Sequence, residues 1–254
     1  MRSSLSSAAD DSSASGGIPG RTQQAYVLTQ EAAGALADLF VSKAKARLEM
    51  VELAEQELDR IDREIDSVVA AAVTECDQEQ ARELLTCMKM VIDLERICDL
   101  LASVAASVVT LGDRLQAEDA GELIRMATLL EHMLAETHGG FAERDLDRAL
   151  AALRMDSEVD RLRSRMMIRH LERAAMEGPH NGVHVLFMAQ GLERAGDHVK
   201  NLAEEICHLV SGRTLRHAVP GPGHKSQEQI YTERLRQQQG SLSDSGEPER
   251  SATP

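Results

Sequence analysis

The sequence predicts an all-α protein, and two compositional observations support this prediction. Among the 254 residues, proline occurs only at positions 19, 179, 220, 222, 248 and 254, so residues 20–178 contain none. Proline is depleted where long helices must keep their hydrogen-bond ladder. Ala, Leu, Glu, Arg and Met are plentiful, whereas β-branched and aromatic residues form no run that alternates at the two-residue period of a strand.

Apolar residues recur at helical spacing in three segments, and we interpret them as the core-facing stripes of helices. The stripes are Leu94, Ile97, Leu101, Val104 and Val108; Leu123, Ile124, Met126, Leu129, Leu130 and Met133; and Leu192, Ala195, Val199, Leu202, Ala203 and Ile206. Residues 112–113 and 117–121 mark a junction between two units. Residues 178–182 mark the turn before the last long helix, and Gly212 is expected at its C-terminal cap.

The chain divides into two helical units between two polar tails. Residues 1–24 are rich in Ser, Ala, Gly and Asp, and residues 218–254 are rich in Pro, Gly, Gln, Ser and charge. Both segments have little apolar surface to bury, so we expect them to be disordered. We expect the first helical unit at residues 25–114 and the second at residues 118–217, each able to bury a modest core.

Charge and hydropathy limit the classes of function. The 28 Lys and Arg residues against 42 Asp and Glu residues give a net charge of −14. This balance argues against nonspecific nucleic-acid binding, which needs a cationic surface. The N-terminal tail lacks the apolar core of a secretory signal, and no stretch approaches the length of a membrane span, so we expect a cytoplasmic chain. The four cysteines form no Cys-x-x-Cys motif, and we expect free thiols.

Two acidic segments occur twice along the chain, in the same order and at nearly the same spacing. The repeated pairs are Asp62/Asp66 with Asp156/Asp160, 94 residues apart, and Glu95/Asp99 with Glu193/Asp197, 98 residues apart. The flanking residues repeat as well, which indicates an internal duplication. On a helix, the four-residue spacing places both carboxylates of a pair on one face.

The acidic pairs leave three classes of function open. Carboxylates from two helices can form an oxygen-rich site that suits Mg²⁺, Mn²⁺, Ca²⁺ or iron, as in a regulator or in a metal-dependent carboxylate enzyme. A di-iron enzyme would carry Glu-x-x-His on paired helices, and only Glu205 and His208 show that spacing. In a purely structural helical protein, the pairs would be solvated faces. Further candidate ligands are His170, His180 and His184, whereas His198 points about 100° away from the preceding Asp197.

Residues 191–206 read Gly-Leu-Glu-Arg-Ala-Gly-Asp-His-Val-Lys-Asn-Leu-Ala-Glu-Glu-Ile. This segment resembles the Leu-Glu-Arg-Ile-Gly-Asp-x-x-x-Asn-Ile-Ala-Glu motif of the PhoU family of phosphate-specific transport system accessory proteins. The resemblance covers about residues 30–217 and includes Asp-x-x-x-Asp before Glu-x-x-x-Asp in both halves. The closing segment at residues 209–217 also resembles the end of that family.

The resemblance implies a pair of three-helix bundles, a homodimer, and a regulator rather than an enzyme. Each bundle is expected to hold a cluster of metal ions, with iron, manganese, zinc and magnesium as candidates. The implied ligands are Asp62, Asp66, Glu95 and Asp99 in the first bundle and Asp156, Asp160, Glu193 and Asp197 in the second. The implied partners are the ATPase subunit of a phosphate transporter and a membrane sensor histidine kinase. Through them the protein would restrain phosphate uptake and phosphate-starvation signalling, and it would meet the membrane only through these partners.

The first half departs from the family motif. Cys98 and Ser103 stand where the second half has Gly196 and Asn201, and residues 76–85 replace the usual Arg-Gln-x-Pro-x-x-x-Asp-Leu-Arg entry to the third helix. Gly196 would permit close helix approach, and Asn201 would order the neighbouring turn. We therefore expect the second bundle to bind metal more tightly than the first. We do not expect Cys98 to add a ligand, because it points about 100° from the carboxylate that follows it.

Overall fold

The structure, a computed structural model, describes residues 17–177 and 182–211 of the chain, and these residues form six α-helices. The helices are α1 (Ile18–Ser42), α2 (Lys45–Thr74), α3 (Gln78–Leu111), α4 (Ala117–Glu143), α5 (Leu146–Glu177) and α6 (Gly182–Ser211). A short 3-10 turn at Gly112–Arg114 follows α3. The two described ranges contain no β-strand, so the predicted all-α class is confirmed.

The six helices form two bundles of three. Helices α1, α2 and α3 pack against one another, and so do α4, α5 and α6. The bundles meet where α1 packs against α4 and where α3 packs against α6. Among the described helices, α2 and α5 pack only within their own bundles. The predicted pair of three-helix bundles is therefore confirmed.

The predicted apolar stripes form much of the core. All members of the stripes on α3 and α6 are buried, and on α4 only Ile124 and Leu129 are half-buried. Burying one such Leu or Ile side chain stabilises the fold by about 1.5–3 kcal/mol relative to leaving it in water. The hydrophobic periodicity of the sequence therefore fixes which face of these three helices points inward.

The contact between α3 and α6 repeats the internal duplication in space. Asp93 of α3 accepts a hydrogen bond from Asn201 of α6, and Gly191, 98 residues after Asp93, lies against Val104. A Cβ atom on Gly191 would stand 2.9 Å from Cγ2 of Val104, so glycine is needed for this close approach. The early part of each helix meets the late part of the other, as an approximate two-fold relation between the bundles requires.

The first helix of each bundle ends in the same way. Lys43 after α1 and Arg144 after α4 adopt left-handed backbone conformations, with φ of 50° and 57°. A residue with a Cβ atom disfavours this region, which glycine usually occupies at helix ends. Both side chains pair with carboxylates, Lys43 with Asp113 and Arg144 with Glu83. The shared cap is a second structural trace of the duplication.

Some element boundaries differ from the sequence-based expectation. Residues 18–24, expected in the N-terminal tail, form the first turns of α1, because proline at position 19 is pre-organised for a helix start and Ile18 is buried. Residues 117–121, expected at the junction, begin α4. Of the turn expected at residues 178–182, Gly182 begins α6. Residues 178–181, the cap expected at Gly212 and most of both expected tails lie outside the described residues. Among the helices that the structure describes, none has a long enough apolar stretch to cross a membrane.

Candidate metal centre

The first acidic group lies where α2 packs against α3. Asp62 is half-buried and Asp66 is exposed on α2, while the side chains of Glu95 and Asp99 on α3 are 17% and 42% exposed. Burial raises the pKa of Asp62, and the neighbouring charge of Asp66 raises it further. The structure therefore places the predicted residues on one partly exposed surface of the first bundle.

Glu95 is the centre of this surface because it responds to charges on both helices. Burial raises its pKa, the charge of Asp99 adds to the increase, and Asp62 on α2 also contributes. The guanidinium of Arg96, 3.4 Å from Glu95 Oε2, acts in the opposite direction. Arg96 is 59% exposed, so water screens much of its effect. The carboxylates of this group thus repel one another and lack a buried basic side chain among their described ion-pair partners.

Two further carboxylates, Glu55 and Asp59, extend the same surface beyond the sequence motif. Burial raises the pKa of Glu55, followed by the charges of Asp59 and Asp99. Their spacing is a signal that the sequence does contain, because positions 52, 55, 59, 62 and 66 are all acidic and share one helical face. The positions 94 residues after the first three of these are Leu146, Ala149 and Leu153. The extended acidic stripe therefore belongs to the first bundle alone.

The second acidic group lies between α5 and α6 and includes two basic side chains. Lys200 Nζ stands 2.7 Å from Asp156 Oδ2 and 3.2 Å from Asp197 Oδ1. Arg163 Nε is 3.6 Å from Glu193 Oε1. Asp160 and Asp197 face solvent, whereas the side chain of Asp156 is only 12% exposed. Three of the four predicted ligands are therefore already in ion pairs.

These ion pairs change the electrostatics of the second group. Burial raises the pKa of Asp156, the ammonium of Lys200 counters part of that increase, and Asp160 and Asp197 add to it. Burial also raises the pKa of Glu193, followed by the charge of Asp197, while Arg163 lowers it. Burial acts to lower the pKa of Lys200, but its bonds to Asp156 and Asp197 outweigh that effect and raise it.

The two groups differ in how well their side chains fit a metal ion. In the described parts of the chain, no three Cys, His, Asp or Glu side chains converge closely enough to hold an ion, so metal binding stays a prediction. The donor chemistry of the first group suits a cation, because its carboxylates repel one another and a cation would relieve that repulsion. In the second group, Lys200 already provides positive charge between Asp156 and Asp197.

Gly196 and Asn201 do not have the structural roles expected from the sequence, whereas Cys98 behaves as expected. A Cβ atom at Gly196 would lie 3.7 Å from Asp156 Oδ1 and 3.8 Å from Val159 Cγ1, which are ordinary contacts, so close helix approach does not require this glycine. Asn201 bonds to Asp93 of α3 rather than ordering its own turn. Cys98 Sγ points at Thr29 Oγ1, 3.6 Å away, and burial raises its pKa to about 12, in keeping with its expected absence from the ligands.

Two of the described histidines, His170 and His198, pair with carboxylates outside the two acidic groups. His198 Nδ1 is 2.8 Å from Asp93 Oδ1 at the contact between α3 and α6. His170 Nε2 is 3.0 Å from the buried Asp119 Oδ1, in a charged network between α4 and α5. His184 is exposed, and His180 lies outside the described residues. All four cysteines of the chain are free, as expected.

The fold and the acidic groups define a class of protein with two three-helix bundles in tandem and paired carboxylates on the second and third helices of each. The chain belongs to the PhoU family, because the PhoU domain matches it over residues 23–108 and again over residues 123–206, one match for each bundle.

Named relatives and solved structures agree with this assignment. The chain is 32% identical over 168 residues to a phosphate-specific transport system accessory protein PhoU homolog of Deinococcus radiodurans, covering 61% of this chain and 78% of that one. It is 30% identical over 175 residues to a protein of the same name from Pseudomonas aeruginosa, covering 64% and 72%. The crystal structure of PhoU from Pseudomonas aeruginosa shares the fold with a TM-score of 0.72 at 21% identity, over 77% of this chain and 96% of that chain. The phosphate transport system regulatory protein PhoU from Streptococcus pneumoniae gives 0.71 at 22% identity, over 78% and 95%.

Proposed function

We propose that this chain is a PhoU-like regulator that restrains phosphate uptake and phosphate-starvation signalling through protein contacts. The observation that carries the proposal is the PhoU domain match to both bundles. Relatives with up to 32% identity are named as accessory proteins of the phosphate-specific transport system, which supports the same role. The proposed partners are the ATPase subunit of a phosphate transporter and a sensor histidine kinase. A homodimer of this chain would meet both partners in the cytoplasm.

The placement of the acidic groups supports a binding role rather than catalysis. Asp66, Asp160 and Asp197 are exposed, so the groups are open to solvent, whereas carboxylate chemistry at a metal gains most from a site that excludes water. Glu205 and His208, the pair with di-iron spacing, are 4.0 Å apart, and Lys89 also pairs with Glu205. This arrangement gives the carboxylate-enzyme alternative no specific support.

The proposal includes a metal ion, with iron, manganese, zinc or magnesium as candidates. The ion would bind preferentially at the first acidic group. Asp62, Asp66, Glu95 and Asp99 would hold it, and the ion would offset their mutual repulsion and strengthen the packing of α2 on α3. The second group, formed by Asp156, Asp160, Glu193 and Asp197, is proposed to be the poorer metal site because three of its carboxylates already form ion pairs. This order is the reverse of the one expected from the sequence motifs.

A reporter experiment tests the regulatory role. Deleting the gene in its own host should raise phosphate uptake and switch on a phosphate-starvation promoter in phosphate-replete medium, and the wild-type chain should restore repression. A tagged wild-type chain should capture the transporter ATPase and the sensor kinase, with the tag alone as control. Unchanged reporter activity in the deletion strain would contradict the regulatory proposal. Light scattering of the purified chain tests the homodimer, which a monomer at micromolar concentration would exclude.

A metal-content experiment tests the first acidic group. The double variant Glu95→Gln, Asp99→Asn should lose bound iron or manganese relative to wild type, measured by elemental analysis of purified protein. The matched control is Glu79→Gln, Glu83→Gln, an acidic pair with the same spacing at the start of the same helix. Equal metal content in the wild type and both variants would contradict metal binding at this group.

A further inference from the structure

The second bundle contains a cation of its own, supplied by the chain. We propose that Lys200 takes the place of a metal ion between α5 and α6, so that metal binds the first bundle and not the second. The proposal rests on the proposed metal-binding role of the paired acidic motifs, and it concerns which bundle keeps that role.

The geometry of Lys200 is that of an ion held between helices. Its Nζ atom reaches across from α6 to Asp156 Oδ2 on α5 at 2.7 Å, and it also lies 3.2 Å from Asp197 Oδ1 on its own helix. Its side chain is 20% exposed, so the ammonium is largely withdrawn from water. A divalent ion that bridged Asp156 and Asp197 would need the space and the carboxylate oxygens that this ammonium engages.

A second basic side chain completes the neutralisation. Arg163 of α5 approaches Glu193 of α6 at 3.6 Å, and the arginine side chain is 29% exposed. Lys200 and Arg163 together place two positive charges among four carboxylates. A bound ion would have to displace tethered cations that cannot diffuse away, which lowers its apparent affinity at any metal concentration.

The first bundle lacks both basic residues at the corresponding positions. The residue 98 positions before Lys200 is Ala102, and the residue 94 positions before Arg163 is Val69. Arg96 is the arginine of the repeated Leu-Glu-Arg motif, and Arg194 is its counterpart in the second half. Both halves therefore have an arginine at this position, and it does not account for the difference. The difference in charge between the two acidic groups therefore arises at the two positions that carry Lys200 and Arg163.

The test exchanges the residues at the paired positions in the full chain and titrates each protein with Mn²⁺ by calorimetry. Lys200→Gln should gain about one bound ion per chain, because Asp156 and Asp197 lose their tethered cation. Ala102→Lys should lose the ion of the first bundle. Lys45→Gln is the matched control, since Lys45 forms an exposed ion pair with Glu49 and should leave the stoichiometry unchanged.

A further substitution locates the gained ion, and thermal unfolding gives an independent readout. Adding Asp156→Asn to Lys200→Gln should remove the gain. Mn²⁺ should raise the melting temperature of Lys200→Gln by more than it raises that of the wild type.

Unchanged stoichiometry and thermal shift in Lys200→Gln would overturn the inference, even where the wild type binds metal in its first bundle. A wild type that binds no Mn²⁺ would instead count against the proposed metal function, and a gain in Lys200→Gln would still support the inference. If Lys200→Gln does not fold, Ala102→Lys decides: retained Mn²⁺ binding overturns the inference, and lost binding supports it.

Discussion

Three glycines in α4 meet different surroundings, and replacing each by alanine tests the packing of the second bundle. A Cβ atom at Gly121 would meet nothing within 4 Å. At Gly139 it would overlap the guanidinium of Arg148, the far end of a flexible side chain. At Gly140 it would lie 3.1 Å from the carbonyl oxygen of Asp145 and 3.3 Å from the amide nitrogen of Ala149, both in the backbone that starts α5.

The structure orders the three effects on the free energy of unfolding. Alanine in a helix interior is favoured over glycine by ~1 kcal/mol, and Gly121→Ala should keep this whole gain. Gly139→Ala displaces Arg148 from Glu136 and Glu143, and losing exposed ion pairs of ~0–1 kcal/mol each should cancel the gain. In Gly140→Ala the new methyl group crowds backbone atoms, which cannot rotate away as a side chain can. Overpacking costs ~1–3 kcal/mol, so the free energy of unfolding should fall by ~1 kcal/mol in total.

Urea unfolding followed by circular dichroism at 222 nm measures these differences, with equal m-values as the check that the unfolded states are comparable. The expected order of stability is Gly121→Ala first, then Gly139→Ala close to wild type, then Gly140→Ala. A Gly140→Ala protein as stable as Gly121→Ala would refute the reasoning. The result bears on function because the turn beside Gly140 sets the start of α5, the helix that carries Asp156.

Three other outcomes test the charged and buried groups. Because burial and Asp99 raise the pKa of Glu95, the folded chain holds this proton more tightly than the unfolded one, and stability falls as pH rises from the ordinary pKa through the raised one. Glu95→Gln should therefore be the more stable protein in urea at pH 7 with EDTA, and a less stable variant would contradict this. Asp119→Ala should cost ~3 kcal/mol in urea, since the buried carboxylate pairs with Arg169 and His170, and a loss below ~1 kcal/mol would contradict it. A thiol reagent should label one cysteine, Cys76, in the native chain and four in urea, because the other three are buried with pKa values raised to about 11 or 12; fast labelling of two or more would argue otherwise.

The periodicity and duplication of the sequence determined the fold class and the pairing of the motifs. The apolar stripe from Leu94 to Val108 predicts a buried face because a helix repeats every 3.6 residues, and the structure buries every member of it. The four-residue spacing of Glu95 and Asp99 likewise predicts a shared face from local geometry alone. Such features depend on positions within one helix, which a sequence displays directly.

Only the tertiary structure decided which charges meet between helices. The sequence shows Lys200 as one residue in a motif. Asp156 lies 44 residues before it along the chain, and the distance between their side chains depends on how α5 and α6 pack. The partners of Asn201 and Cys98 also lie on other helices, so neither partner could be known before the packing of the helices was known. Electrostatic interactions act through space, and their strength depends on burial. The spacing of residues along one helix gives neither its distance from another helix nor the amount of water between the two.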